Sequence, residues 1–146
     1  MTQESVNFQL RTGQQRDAPA VLQLWRDAGI RPTPTDDEDA LRVRAAREDG
    51  LFQVAESDGR VIGTIIGGWD GWRGNIYRLA VQPEFRRRGV ARALVHSVEK
   101  EMLDHGVRRI HVLLAQPELA EHAVEFWKSM GYAADRESLP FRRDLA

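Results

Sequence analysis

The stretch Ile76–Gly106, IYRLAVQPEFRRRGVARALVHSVEKEMLDHG, decides the fold. Ile76 to Gln82 reads as a strand. Pro83 opens a loop to Arg88 that ends in three consecutive arginines, Arg86, Arg87 and Arg88. Gly89 then starts a helix. Its apolar positions Val90, Ala91, Leu94, Val95, Val98 and Met102 recur at three- and four-residue spacing, one continuous stripe. Gly106, just past His105, supplies a stop.

The join between loop and helix has a specific physics. The first amide N–H groups of a helix lack an intrahelical partner, and the helix dipole adds partial positive charge there. Glycine at 89 and alanine at 91 would let a phosphate approach those amides. The three guanidinium groups add full charge and fork-shaped donors. A pyrophosphate suits such a place; a solvated basic loop before an ordinary helix fits the same residues.

Arg86-Arg87-Arg88-Gly89-Val90-Ala91 resembles the Q/R-x-x-G-x-G/A signature of the GCN5-related N-acetyltransferase (GNAT) superfamily, and Leu79-Ala80-Val81-x-Pro83 is similar to the strand before it. A second stretch, Ala123-x-x-Phe126-Trp127-x-x-x-Gly131-Tyr132, resembles the family's A-x-x-F-Y-x-x-x-G-F element. With GGWDGWRG ahead of the strand, the chain looks most like a small bacterial, YpeA-type branch akin to the ribosomal-protein alanine acetyltransferases. The resemblance implies an α/β (α+β) fold: a mixed sheet of about six to seven strands, about four helices, and splayed central parallel strands. It also implies acetyl-CoA as co-substrate, a primary amine as acceptor, and a homodimer.

Composition narrows the alternatives. The 146 residues fit a single domain, 1–146. A net charge of −1 gives no global pull toward nucleic acid or membrane, so neither is expected as a partner. There is no cysteine, which excludes disulfides, thiolate metal ligands and a cysteine nucleophile; no metal site is expected. MTQESVNFQL lacks the basic and apolar regions of a signal peptide, and no apolar run approaches the ~20 residues of a membrane helix. A cytoplasmic protein is expected.

Along the chain, Val6–Thr12 alternates as a half-buried strand. Asp17 caps a helix to about Ala28, with Pro19 in its first turn and Gly29 ending it. Arg31-Pro32-Thr33-Pro34 is a loop, in the resembled fold a candidate part of the acceptor wall and otherwise a plain connector. Thr35-Asp36-Asp37-Glu38 reads as a capping box for a polar helix to about Glu48. Leu51–Glu56 and Arg60–Trp69 pair through Ser57-Asp58-Gly59, with Gly63, Gly67 and Gly68 marking close backbone approach or a bulge. A fifth strand is expected at Arg108–Ala115, a helix from about Glu118 to Met130, and one or two last strands between Tyr132 and Phe141.

What the resemblance implies for chemistry is direct acetyl transfer. The fourth and fifth strands would part and leave a slot for the pantetheine arm, which would pair with Leu79, Ala80 and Val81. The N–H of Leu79 would face the thioester oxygen, where one preorganised donor is worth about 3 kcal/mol. Arg86, Arg87, Arg88, Gly89, Val90 and Ala91 would hold the pyrophosphate, with Arg92 near the 3′-phosphate ribose, and Trp127 belongs to the cofactor side. Three positions depart from the family: the usual acid tyrosine is Trp127, a common asparagine is Ala120, and a glutamate found in some members is Asn75. Tyr77, two residues before Leu79 and hence expected on the same strand face, is a candidate acid. His111 and His122 are further titratable candidates, and Glu118, at the mouth of the last helix, would bind an amine electrostatically or simply favour the helix dipole; catalysis by positioning and the Leu79 amide alone is another route. Trp69, Trp72, Arg73 and Arg78 form a candidate acceptor cluster. An acyl-CoA-binding sensor with little transfer is the alternative function, and nucleic-acid binding through the arginines a third.

Overall fold

The computed structural model describes residues 7–114 and 120–145. Five strands form among them: β1 Gln9–Thr12, β2 Phe52–Ser57, β3 Arg60–Trp69, β4 Gly74–Val81 and β5 Ile110–Val112. They lie side by side in chain order, antiparallel except for the last pair, β4 and β5. The helices are α1 Ala18–Asp27, α2 Glu38–Ala45, α3 Val90–Asp104 and α4 Ala120–Ser129. Two compact units result, Met1–Leu113 and Leu114–Ala146.

Local chemistry explains most boundaries. Asp58 (φ 49°) and Gly59 (φ 75°) make the two-residue turn of the β2–β3 hairpin, where left-handed backbone matches strand twist. Asp70 closes the β3–β4 hairpin, its Oδ1 accepting the N–H groups of Trp72 and Arg73, each at 2.8 Å. Those two donors hold the Asp70 carboxyl below the usual carboxylate range. Pro19 sits in the first turn of α1, where its missing N–H costs nothing.

The sheet separates two apolar layers in the first unit. On one side, Val21, Leu24 and Trp25 of α1 and Leu41 and Ala45 of α2 pack with Phe52, Val54 and Ala80. On the other, Val90, Leu94, Val95, Val98 and Met102 form the buried stripe of α3. This helix lies so close to β3 that a Cβ on Gly63 would come within 2.9 Å of Val90 and 3.1 Å of Leu94. One on Gly67 would come within 2.9 Å of Val98 and 3.0 Å of Met102. Those two glycines are the close approach expected of β3. Gly68 is not, since its nearest neighbour would be the Tyr77 ring at 3.9 Å.

Several expectations need correction. The second helix is capped by Asp37, whose side chain accepts the Ala40 N–H at 2.7 Å, and it stops at Ala45 rather than near Glu48. The fifth strand covers only Ile110–Val112. Residues 132–145 carry no strand, so the described sheet has five strands rather than six or seven. The tail is interrupted by a bend in which Asp135 accepts the Glu137 N–H, and by Pro140, which offers no ladder donor. Glu118 and the start of the expected last helix lie outside the described residues.

Candidate active site

Two features of β4 set up the site. The first is where its parallel ladder ends. β5 pairs with β4 only through Gly74↔Ile110, Asn75↔His111 and Ile76↔Val112. Beyond that, Tyr77–Val81 has no ladder partner on the β5 side among the described residues. The β4–β5 ladder thus ends at Ile76 and Val112 among the described residues, as the expected parting of the two middle strands requires.

The second feature is a bulge. On the β3 side the register runs Ile66↔Tyr77 and then Thr64↔Ala80, so Arg78 and Leu79 together oppose Ile65. Arg78 takes a left-handed conformation, φ 54°. The extra residue upsets the alternation. Tyr77 pairs with Ile66 and Ala80 with Thr64 on the α1 side, while Val81 pairs with Gly63 on the α3 side. Tyr77 and Leu79 thus do not share a face by simple alternation, contrary to the sequence-based expectation. The Tyr77 side chain itself is exposed.

Past β4 the chain is anchored before it reaches the arginines. Gln82 is buried; its N–H bonds to the Ile62 carbonyl at 2.8 Å and its side-chain amide donates to Asp27 at 3.0 Å. That amide, with the one from Gln23, keeps the Asp27 carboxyl below its ordinary range. Pro83–Phe85 is a single 3-10 turn, tied down at Glu84 by an ion pair with Arg60. Arg60 and Arg88 stand on the Phe85 ring, 6.0 and 5.9 Å from its centroid.

Arg86, Arg87 and Arg88 are exposed and have no acidic partner among the described residues. Gly89 is the N-cap of α3 at φ 85°, and a Cβ there would meet nothing within 4 Å. The N–H groups of Gly89, Val90 and Ala91 have no acceptor among the described residues, as the first turn of a helix dictates. Open space and orphan donors thus follow directly in the chain on three exposed arginines, a combination that suits an anion. Arg92 is exposed one position further along the helix.

The aromatic and arginine cluster proposed for the acceptor is not assembled. Trp69 stacks on His105 at 4.6 Å. Arg73 lies over Trp72, 4.0 Å from its ring, at the tip of the hairpin. Arg78 turns to α1 and its following loop, 5.4 Å above the Trp25 ring and bonded to Asp36. His111 sits on β5 opposite Asn75, and His122 is exposed on α4. In the second unit Trp127 is buried, with Phe126 and Tyr132 edge-on at 5.3 and 4.9 Å.

A separate groove of about 420 Å³ is lined by Arg11, Asp17, Asp27, Glu56, Arg60 and Gln82 among others. No candidate cofactor residue lines it. Sequence reasoning missed the residues that secure the bulge, Trp25, Thr33, Asp36 and Thr64. The available signal was the doubled acid Asp36-Asp37, since one acid is enough to cap a helix.

Residues 18–132 match the acetyltransferase (GNAT) family. The chain belongs to that family. As a GNAT acetyltransferase it is an acyltransferase that draws its acetyl group from acetyl-CoA. An acetyltransferase of Pectobacterium atrosepticum is 35% identical over 109 residues, which cover 75% of this chain and 77% of that one. Among solved structures, the PaiA N-acetyltransferase of Thermoplasma acidophilum, in complex with coenzyme A, superposes with a TM-score of 0.79. It is 16% identical, over 91% of this GNAT chain and 94% of the other. The ribosomal-protein-S18-alanine N-acetyltransferase of Escherichia coli gives 0.70 at 20% identity, over 86% and 77% of the two chains. At such identities the likeness is one of fold. No helix among the described residues of this GNAT member is long and apolar enough to cross a membrane.

Proposed function

We propose that this GNAT acetyltransferase acetylates a primary amine, on a small molecule or a protein N-terminus, by direct attack on acetyl-CoA. The observation that carries the reading is the end of the β4–β5 ladder at Ile76, with β4 then leading through the arginine loop to the glycine-started helix α3. Main-chain groups of Leu79, Ala80 and Val81 bind the pantetheine arm as an added strand would. Arg86, Arg87, Arg88 and the N–H groups of Gly89, Val90 and Ala91 hold the diphosphate, and Arg92 lies toward the ribose phosphate. The family match across 18–132 supports treating 1–146 as one functional domain.

Chemistry then needs few side chains. The Leu79 N–H stabilises the negative charge that grows on the thioester oxygen. Held in place, the amine gains most of its advantage from positioning; its nitrogen bonds to the acetyl carbon as the C–S bond breaks, and water carries its proton to the departing coenzyme A thiolate. Tyr77, exposed on β4 but not on the face of Leu79 by simple alternation, is a candidate acid that would act through a water.

Calorimetric titration with acetyl-CoA, followed by thiol release over small amines, polyamines and peptide N-termini, tests the reading. Binding together with thiol release on at least one amine is expected. Trp127, where the family usually places an acid tyrosine, favours one alternative, an acyl-CoA sensor. Binding without release on any amine would establish that instead.

A further inference from the structure

We propose that Arg78 is a positioning residue, whose ion pair with Asp36 fixes the β4 bulge and thereby aims the Leu79 N–H. The inference rests on the role given above to that amide.

Several contacts converge on one peptide unit. Thr64 Oγ1 donates to the Arg78 carbonyl oxygen at 3.1 Å, and itself accepts the Trp25 indole N–H at 3.0 Å. The Arg78 carbonyl and the Leu79 N–H belong to the same planar trans peptide and point in opposite directions. Holding the carbonyl to Thr64 therefore sends the Leu79 N–H away from Thr64 and β3.

That orientation depends on Arg78 staying left-handed, a conformation uncommon for a long side chain. The side chain supplies the restraint. Its Nη2 donates to Asp36 Oδ2 at 2.6 Å and to Thr33 Oγ1 at 3.3 Å, and its Nε donates to Asp36 Oδ1 at 3.2 Å. The two-point pairing fixes the plane of the guanidinium as well as its place. Arg78 and Asp36 side chains are only 16% and 8% exposed, so water competes little for either. Asp36 is fixed in turn, accepting both the N–H and the hydroxyl of Thr33 at 2.7 and 3.0 Å.

The consequence reaches beyond the bulge. Thr33 and Asp36 lie in the loop between α1 and α2. One ion pair thus joins that loop to the peptide carrying the charge-stabilising N–H. Movement of the loop would therefore be felt at the Leu79 amide.

The test uses Arg78→Gly, which keeps the left-handed backbone free of strain but removes the side chain, and Asp36→Asn, which keeps the shape but not the charge. Each is titrated with acetyl-CoA labelled with ¹³C at the carbonyl, and the carbonyl stretch of the bound thioester is read by isotope-edited infrared difference. In the parent protein the stretch is expected below its value in water. In both variants it returns toward the solution value while affinity stays within about threefold, because the diphosphate loop is untouched. Turnover with the amine the parent uses best is expected to fall about 30- to 100-fold, with little change in the KM for acetyl-CoA. Should Arg78→Gly not fold by circular dichroism, Asp36→Asn decides. A lowered stretch and full turnover retained in the folded variants would overturn the proposal and leave the acetyltransferase reading standing. A parent protein that binds acetyl-CoA without lowering the stretch removes the role of Leu79, and the proposal with it. Failure of the parent to bind acetyl-CoA would remove the underlying reading itself.

Discussion

Gly89 meets two demands at a single residue. Its φ of 85° lies where a side chain is strained, and the space in front of it is clear to 4 Å. Gly89→Glu sets bulk and a negative charge beside the orphan amides of α3. The expected outcome is a loss of acetyl-CoA affinity of at least tenfold, about 1.4 kcal/mol, by calorimetry; unchanged affinity would show that the diphosphate binds elsewhere. The role of this glycine was legible because the chemistry is local: loop, glycine and helix are contiguous in the chain. Asp36 was not legible for the opposite reason. Read locally it is one of four capping-box residues, whereas its partner Arg78 is 42 positions away. The same holds for Thr64, whose hydroxyl joins Trp25 to Arg78. Nothing in the order of residues announces a contact that only the folded sheet creates.

At the scale of elements, α3 and β3 show why glycine belongs inside a strand. Gly63→Ala puts a methyl group against Val90 and Leu94 and is expected to cost about 1–3 kcal/mol by denaturant unfolding, as overpacking does. Gly68→Ala has only the Tyr77 ring edge to meet, and is expected to stay within about 0.5 kcal/mol. Equal effects would show that α3 does not sit flush on the sheet. The hairpin strands were readable to within a residue or two, since alternation and the Asp58-Gly59 turn are signals of neighbours in sequence. Bulges are harder. The one in β4 adds a residue with no marker of its own, which is why counting by twos misplaced Tyr77 relative to Leu79. A three-residue parallel strand such as β5 is harder still, because its limit is set by where its partner diverges.

For the molecule as a whole, acid stability turns on a charged knot between β1, β2 and the start of α1. Arg11 reaches both Asp17 oxygens at 2.7 and 2.9 Å and Glu56 at 2.6 Å. The Arg11 hydrogen bonds, aided by the Gln14 N–H, hold the buried Asp17 carboxyl below its ordinary range. A lowered folded-state pKa contributes stability that is present above the unfolded value near 3.9 and is lost as pH falls through the folded value. Asp17→Asn is therefore expected to destabilise by about 2 kcal/mol at neutral pH in urea unfolding. Its deficit against the parent should shrink as pH drops below about 4. A deficit independent of pH would mean that shape, rather than charge, holds the knot. Leu79–Val81, which has no ladder partner on the β5 side among the described residues, carries a further cost. Such a stretch is a template on which another copy can assemble, by the same chemistry that welcomes a ligand. Arg86, Arg87 and Arg88 stand next to it, and three like charges repel a second copy as they would attract a diphosphate. Neutralising them to weaken ligand binding is therefore also expected to raise self-association, read by light scattering.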